Sequence, residues 1–238
     1  MYAIIGANGS GKSLILKALS GYNKLTSGKV LQDGNEIRKN NNYIEDAGII
    51  IENPVMVNEY TITENLEYLK KMSENSKEID LEKWYKYFEI EEYKEKRFSE
   101  LSLGTKQKVA LIQAFMHNPK NILLDEPFNG LDPIGMKEFR DLLIELSKKG
   151  VGIIISSHSL EELSKLVDTV TIINQGKVIF QGKKTEFLSL GSIKNVWLLK
   201  TDNIELTKSI LNNLNIVFSE GIEQLELSLD IESMKEVK

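Results

Sequence analysis

Gly6-Ala7-Asn8-Gly9-Ser10-Gly11-Lys12-Ser13 is the stretch whose reading decides the fold. The apolar run Tyr2 to Ile5 precedes it, and Leu14-Ile15-Leu16-Lys17-Ala18-Leu19 follows with helical character. Strand, glycine-rich loop and helix, in that order, form the context in which G-x-x-x-x-G-K-[ST] denotes a phosphate-binding loop. Glycines let successive backbone N–H groups turn inward, and the helix N-terminus behind them carries partial positive charge. The loop is therefore suited to cradle a polyphosphate. Lys12 is placed to neutralise β- and γ-phosphate oxygens, and the Ser13 hydroxyl to bind Mg²⁺. The competing reading is an ordinary turn between a strand and a helix. All the constrained positions are filled in the right context, which weighs against it.

The totals narrow the class. The chain has 238 residues, enough for one large domain or two small ones. Hydrophobic residues make up 41% and charged residues 27%, as in a globular protein with a full core. No apolar run approaches the roughly 18 residues that span a bilayer, and no basic-then-apolar leader opens the chain. There is no cysteine, which removes disulfides and thiolate metal sites. The expected location is the cytoplasm. A net charge of −5 gives no electrostatic reason to expect nucleic acid as a partner. Neither an internal repeat nor a low-complexity tract is visible.

Beyond the first helix, Lys29 to Gln32, Asp33-Gly34 and Asn35 to Ile37 read as a short hairpin. Ala47-Gly48-Ile49-Ile50-Ile51 is a compact apolar strand ending at Glu52-Asn53-Pro54. Residues 59 to about 117 then read as a helical insert. Thr61 and Glu64 have capping-box spacing, and Ile62, Leu66 and Leu69 recur at helical period. Leu81, Trp84, Tyr85 and Phe88 share a face of a second helix, and the charged tract Lys77 to Arg97 reads as solvated surface.

The framework resumes at strand Asn121 to Asp125. Asp132 is placed to cap a helix begun by Pro133, with Met136, Phe139, Leu142, Leu143 and Leu146 inward and Gly150 ending it. Val151 to Ser156 is another apolar strand, followed by His158 and a capping box from Ser159 to Glu162. Val170 to Ile173 and Lys177 to Phe180 are strands joined by Asn174-Gln175-Gly176. Apolar strands alternating with helices predict an α/β fold with a mostly parallel sheet covered on both faces. After a linker at Gly191-Ser192, residues 192–238 read as a small strand–helix–strand appendage without a chemical motif.

Two later stretches carry chemistry. Ile122-Leu123-Leu124-Asp125-Glu126 puts two carboxylates at the end of an apolar strand, where open parallel sheets hold ligands. Asp125 suits Mg²⁺ and its water shell, whereas Glu126 faces differently and suits a proton acceptor for an attacking water. Leu101-Ser102-Leu103-Gly104-Thr105-Lys106-Gln107-Lys108 opens a helix that continues through Val109, Ile112 and Met116. A serine and a glycine there make either a second anion site or an ordinary N-cap.

With these motifs in order, the chain from Tyr2 to about Gly182 resembles the nucleotide-binding subunit of ATP-binding cassette (ABC) transporters. Gly6 to Ser13 matches Walker A and Ser102 to Gln107 the signature motif. Ile122 to Glu126 matches Walker B and the catalytic glutamate, Asn129 to Asp132 the D-loop, and His158 the switch histidine. The resemblance implies a P-loop NTPase domain over residues 1–190 that binds ATP and Mg²⁺. It implies a dimer, with an identical or a related subunit, that sandwiches ATP between one subunit's Walker loops and the other's signature helix. The dimer would drive a separate membrane permease from the inner face of the membrane. Carried over residue by residue, Ser102 and Gly104 hold the γ-phosphate bound on the partner, Asp132 makes a dimer contact, and His158 contacts the γ-phosphate and steadies the Glu126–water pair.

The chain departs from the family pattern at three places. Leu103 and Thr105 stand where the signature usually has glycine and glutamine. Glu52 stands where the Q-loop glutamine usually sits beside the nucleotide and its metal; a glutamate loses the amide donor and adds negative charge. Glu52-Asn53-Pro54 with Ser-Leu-Gly resembles the bacitracin- and lantibiotic-exporter branch. Third, family members begin with about two more strands, which carry an aromatic that stacks on adenine. Met1 therefore reads as an internal methionine of a longer chain or as a natural truncation, with weaker ATP binding and an exposed sheet edge expected. The alternatives are a non-transport ABC ATPase acting on ribosomes or DNA, and a nucleotide-binding module without turnover. Such non-transport proteins usually carry two cassettes or a long coiled coil, and this chain has neither.

Overall fold

Strands as apolar as Ile4-Ile5, Ile122 to Leu124 and Ile153 to Ile155 need cover on both faces, and the fold supplies it with helices. The computed structural model describes residues 1–38, 42–52, 56–190, 195–199, 204–213, 217–221 and 224–229. They divide into two units, Met1–Lys184 and Thr185–Lys238.

In the first unit β1 (Tyr2–Ile5) leads through the glycine-rich loop into α1 (Lys12–Ser20). The short hairpin β2 (Leu31–Gln32) and β3 (Asn35–Glu36) precedes β4 (Ala47–Ile50). The described residues from there to the next strand are helical or turns: α2 (Ile62–Met72), α3 (Leu81–Tyr87) and α4 (Leu103–Phe115). Then come β5 (Asn121–Asp125), α5 (Pro133–Lys148), β6 (Gly152–Ser157), the single turn α6 (Leu160–Leu163), β7 (Thr169–Asn174) and β8 (Lys177–Lys183).

The sheet order is β4-β5-β6-β1-β7-β8, parallel except for β8, which returns antiparallel on β7. α1 packs on β5 and β6, α4 on β4, and α5 and α6 on β6. Ile4, Leu16, Leu123 and Ile173 form a buried cluster between α1 and the sheet. An aromatic run ties the insert to the framework. Trp84 stacks on Phe115 at 6.3 Å, Phe115 meets Phe139 edge-on at 5.9 Å, and Phe139 meets Phe128 at 5.1 Å.

The predicted caps are present. Thr61 and Glu64 bond reciprocally as a capping box, and the Asp132 carboxylate accepts from Gly135 N at 2.7 Å. Strand β1 is hydrogen-bonded to β6 on one side and β7 on the other. The sheet's outer strands are β4 and β8.

The second unit contains α7 (Lys184–Leu190, which begins on the last residue of the first), β9 (Asn195–Leu199), α8 (Ile204–Asn213), β10 (Val217–Gly221) and β11 (Gln224–Leu229). Its sheet runs β10-β11-β9, antiparallel throughout. The appendage thus has one strand, β10, more than the strand–helix–strand reading. Asn53, Pro54 and the Gly191-Ser192 linker lie outside the described residues.

Candidate functional site

The site is assembled by strand register. Ile50 pairs with Leu124, Asp125 with Ser156, and Ile5 with Ser157, so four parallel strands end in step. Their carboxyl ends deliver Glu52, the Asp125–Glu126 pair, His158 and the Gly6–Ser13 loop to one edge, where open α/β sheets bind ligands. A cavity of about 310 Å³ there is lined by Asn8, Gly9, Gly11, Lys12, Ser13, Leu14, Lys17, Glu52, Asp125 and Glu126.

The loop is built for an anion. Gly11 caps α1 at φ 107° and offers no side-chain acceptor, and the first turn of α1 has no acidic residue. The helix's leading N–H groups and its partial positive charge therefore face the cavity uncompensated. Gly6 is required by close approach. A Cβ there would lie 2.4 Å from Ser10 Oγ and 2.5 Å from the Ile173 carbonyl oxygen. Ala7 accepts from Ser10 N at 3.1 Å to close the turn, and the Gly176 amide supports the loop from outside by donating to Ser10 O at 3.0 Å.

Lys12, only 6% exposed, folds over its own loop. Its ammonium donates to Gly6 O at 2.8 Å and Ala7 O at 3.3 Å, and lies 3.2 Å from Glu126 Oε1. The other carboxylate oxygen of Glu126 is 2.9 Å from His158 Nδ1. Glu126 sits at φ 45°, a left-handed conformation that side-chain-bearing residues adopt at a cost of about 1 kcal/mol. Its amide is held there by Ser156 through both the carbonyl oxygen at 3.2 Å and Oγ at 3.1 Å. The turn sends the Glu126 carboxylate away from that of Asp125, which takes the Ser156 hydroxyl hydrogen.

Ser102, Gly104 and Asp132 gather elsewhere. They line a separate cavity of about 360 Å³ with Thr105, Lys108 and Tyr93, and it shares no lining residue with the first. Ser102 caps α4, accepting from Thr105 N at 3.2 Å. Gly104 admits no side chain, because a Cβ would stand 2.6 Å from the Gly130 carbonyl oxygen. Gln107, buried in α4, donates to Pro127 O at 3.0 Å and so ties this helix to the residue after Glu126.

Ser13, Glu52 and Asp125 bring oxygen donors to the first cavity, the set a hard cation sharing phosphate oxygens takes. Tyr2 does not reach the cavity lining; its hydroxyl is engaged by Thr171 and Gln181. Sequence reading missed Ser156, Lys17 and Gly176. Lys17 carries a faint signal, standing one helical turn beyond Ser13. The contacts of Ser156 and Gly176 exist only once strands pair.

The family described as ABC transporter matches residues 1–129 of this chain. The bacitracin transport ATP-binding protein BcrA of Enterococcus faecalis is 35% identical over 181 residues, spanning 75% of this chain and 59% of BcrA. The lantibiotic transport ATP-binding protein SrtF of Streptococcus pyogenes is 34% identical over 181 residues, spanning 76% of this chain and 78% of SrtF. A solved structure described as the ATP binding subunit of an ABC transporter matches with a TM-score of 0.72 at 28% identity. The match covers 80% of this chain and 81% of that one.

Proposed function

The chain belongs to the ABC transporter family as an ATP-binding ATPase subunit, and on that premise we propose how its residues divide the work and what the cycle drives. ATP lays its phosphates along the Gly6–Ser13 loop. Lys12 leaves Glu126 for the β- and γ-phosphate oxygens, which frees the Glu126 carboxylate to take a proton from the attacking water. His158, bonded to the other Glu126 oxygen, fixes that carboxylate's direction. Mg²⁺, held by Ser13 and Asp125 with Glu52 nearby, would draw negative charge off the transferring phosphoryl group.

The separation of the two cavities supports a dimeric engine. Ser102 and Gly104 do not line the phosphate-loop cavity of their own chain, so they serve the γ-phosphate bound on a second subunit, with Asp132 at the seam. In that closed state the Ser102 hydroxyl turns from capping α4 to the phosphate. A separate membrane permease, the partner that family membership implies, provides the passage. The chain works at the inner face of that membrane. Similarity to BcrA and SrtF supports export of a peptide antibiotic.

The observation that carries this reading is Glu126 held between Lys12 at 3.2 Å and His158 at 2.9 Å. E126Q should lower ATP turnover by roughly 10²–10⁴-fold while retaining nucleotide binding. Unchanged hydrolysis would remove Glu126 as the base. Pull-down from solubilised membranes should recover a membrane-spanning subunit; recovery of ribosomes in its place would overturn the transport role.

A further inference from the structure

Lys17 has no part in the scheme above, yet it lines the nucleotide cavity. The cavity holds three carboxylates, Glu52, Asp125 and Glu126, and two lysines, Lys12 and Lys17. Each glutamate is matched to a lysine: Lys12 Nζ lies 3.2 Å from Glu126 Oε1, and Lys17 Nζ lies 2.5 Å from Glu52 Oε1. Asp125 takes the Ser156 hydroxyl. Lys17 follows Ser13 by four residues on α1, so both side chains rise from the same helix face and line the cavity.

The pair answers a difficulty created by Glu52 itself. A carboxylate at the mouth of a triphosphate site repels the ligand and has no hydrogen to donate. An ammonium beside it restores both a donor and a neutral local balance. Glu52 and Lys17 are 61% and 28% exposed, so water weakens their mutual attraction and the pair adds little to folding stability. Its effect falls on the anion that enters the cavity. Glu52 stands at φ 65°, which turns the chain after β4 and presents its carboxylate to α1.

We propose that Lys17 is a positioning residue that neutralises and orients Glu52, so that the glutamate tolerates a triphosphate and faces its metal ion. The inference rests on the reading of this cavity as the nucleotide site. Lys17 acts through Glu52, so its removal should matter only while the glutamate is present.

The test is a double-mutant cycle read by binding, in the E126Q protein so that hydrolysis does not intrude. Trinitrophenyl-ATP is titrated by fluorescence with and without Mg²⁺, and each variant's thermal melt is recorded. K17M should weaken Mg²⁺-dependent binding roughly tenfold without shifting the melt, and K17R should keep the parent affinity. In the E52Q background the K17M loss should shrink to within about twofold. Equal losses from K17M in both backgrounds, or no loss in either, would overturn the proposal. K12A separates the two levels of the argument. If K12A retains the nucleotide, the site assignment itself fails; if K12A loses it and the cycle is additive, only the role of Lys17 fails.

Discussion

The Ser156 hydroxyl donates its hydrogen to the Asp125 carboxylate, and the same oxygen accepts from the Glu126 amide at 3.1 Å. Ser156 is wholly buried, so nothing from solvent replaces these bonds when the oxygen is removed. It fixes both carboxylates at once, one directly and one through the left-handed turn at Glu126. S156A should cost about 1–3 kcal/mol of stability, since one oxygen of Asp125 loses its donor. Its kcat should fall by about tenfold or more with KM changed far less, because the phosphate loop is untouched. Steady-state ATPase kinetics with a thermal melt check this; a lowered melt with normal kcat would make Ser156 a packing residue only.

His158 gives a second kinetic expectation. Its ring is half exposed and meets Glu126 Oε2 at 2.9 Å. H158A should therefore leave the fold and nucleotide binding intact and reduce kcat by roughly 10²–10³-fold. The assay is single-turnover hydrolysis with prebound ATP, which excludes binding from the comparison. Equal rates with and without the imidazole would show that Glu126 is oriented by other means.

Gly6 tests the loop's geometry without touching its charges. An added methyl group would meet Ser10 Oγ at 2.4 Å, which a rotamer change relieves, but also the Ile173 carbonyl oxygen at 2.5 Å, which is fixed in β7. G6A should therefore displace the loop from β7 and abolish measurable ATP binding, with a loss of about 1–3 kcal/mol in stability. Calorimetric titration with MgATP is the check. Parent-like affinity would mean the loop is more yielding than this contact implies.

The candidate site is legible where chemistry is local in the chain. The glycine-lysine-serine loop declares itself because backbone conformation, cradle and countercharge lie within eight consecutive residues, Gly6 to Ser13. Asp125 and Glu126 declare themselves once an apolar strand is seen to end in two acids. What stayed hidden depends on register across long separations. That β1 lies between β6 and β7, and that Ser156 stands beside Asp125, follow from packing of a whole sheet. Strand β10 was missed because Val217-Phe218-Ser219-Glu220-Gly221 has a weak strand pattern, and its pairing with β11 sustains it. Nothing local in the sequence pairs Lys17 on α1 with Glu52, which stands just past the end of β4.

The helical insert offers a prediction independent of the nucleotide. Tyr85 is 1% exposed, and its buried hydroxyl has no hydrogen-bond partner among the described residues. Burial pushes its pKa up to about 12, with Glu67, Glu82 and Glu95 adding to the rise. The Thr63 hydroxyl donates to the Lys94 carbonyl oxygen at 3.0 Å. Y85F removes an unpaired polar atom and keeps the ring, so it should stabilise the fold by about 1 kcal/mol near neutral pH. Tyrosine is charged only after it loses its proton. A folded-state pKa above the unfolded value of about 10 therefore leaves stability whole below pH 10 and erodes it as pH climbs toward 12. The advantage of Y85F should accordingly widen across that window. Denaturant melts of both proteins from pH 7 upward decide the matter; a gap that stays constant would mean the hydroxyl finds a partner or solvent when it ionises.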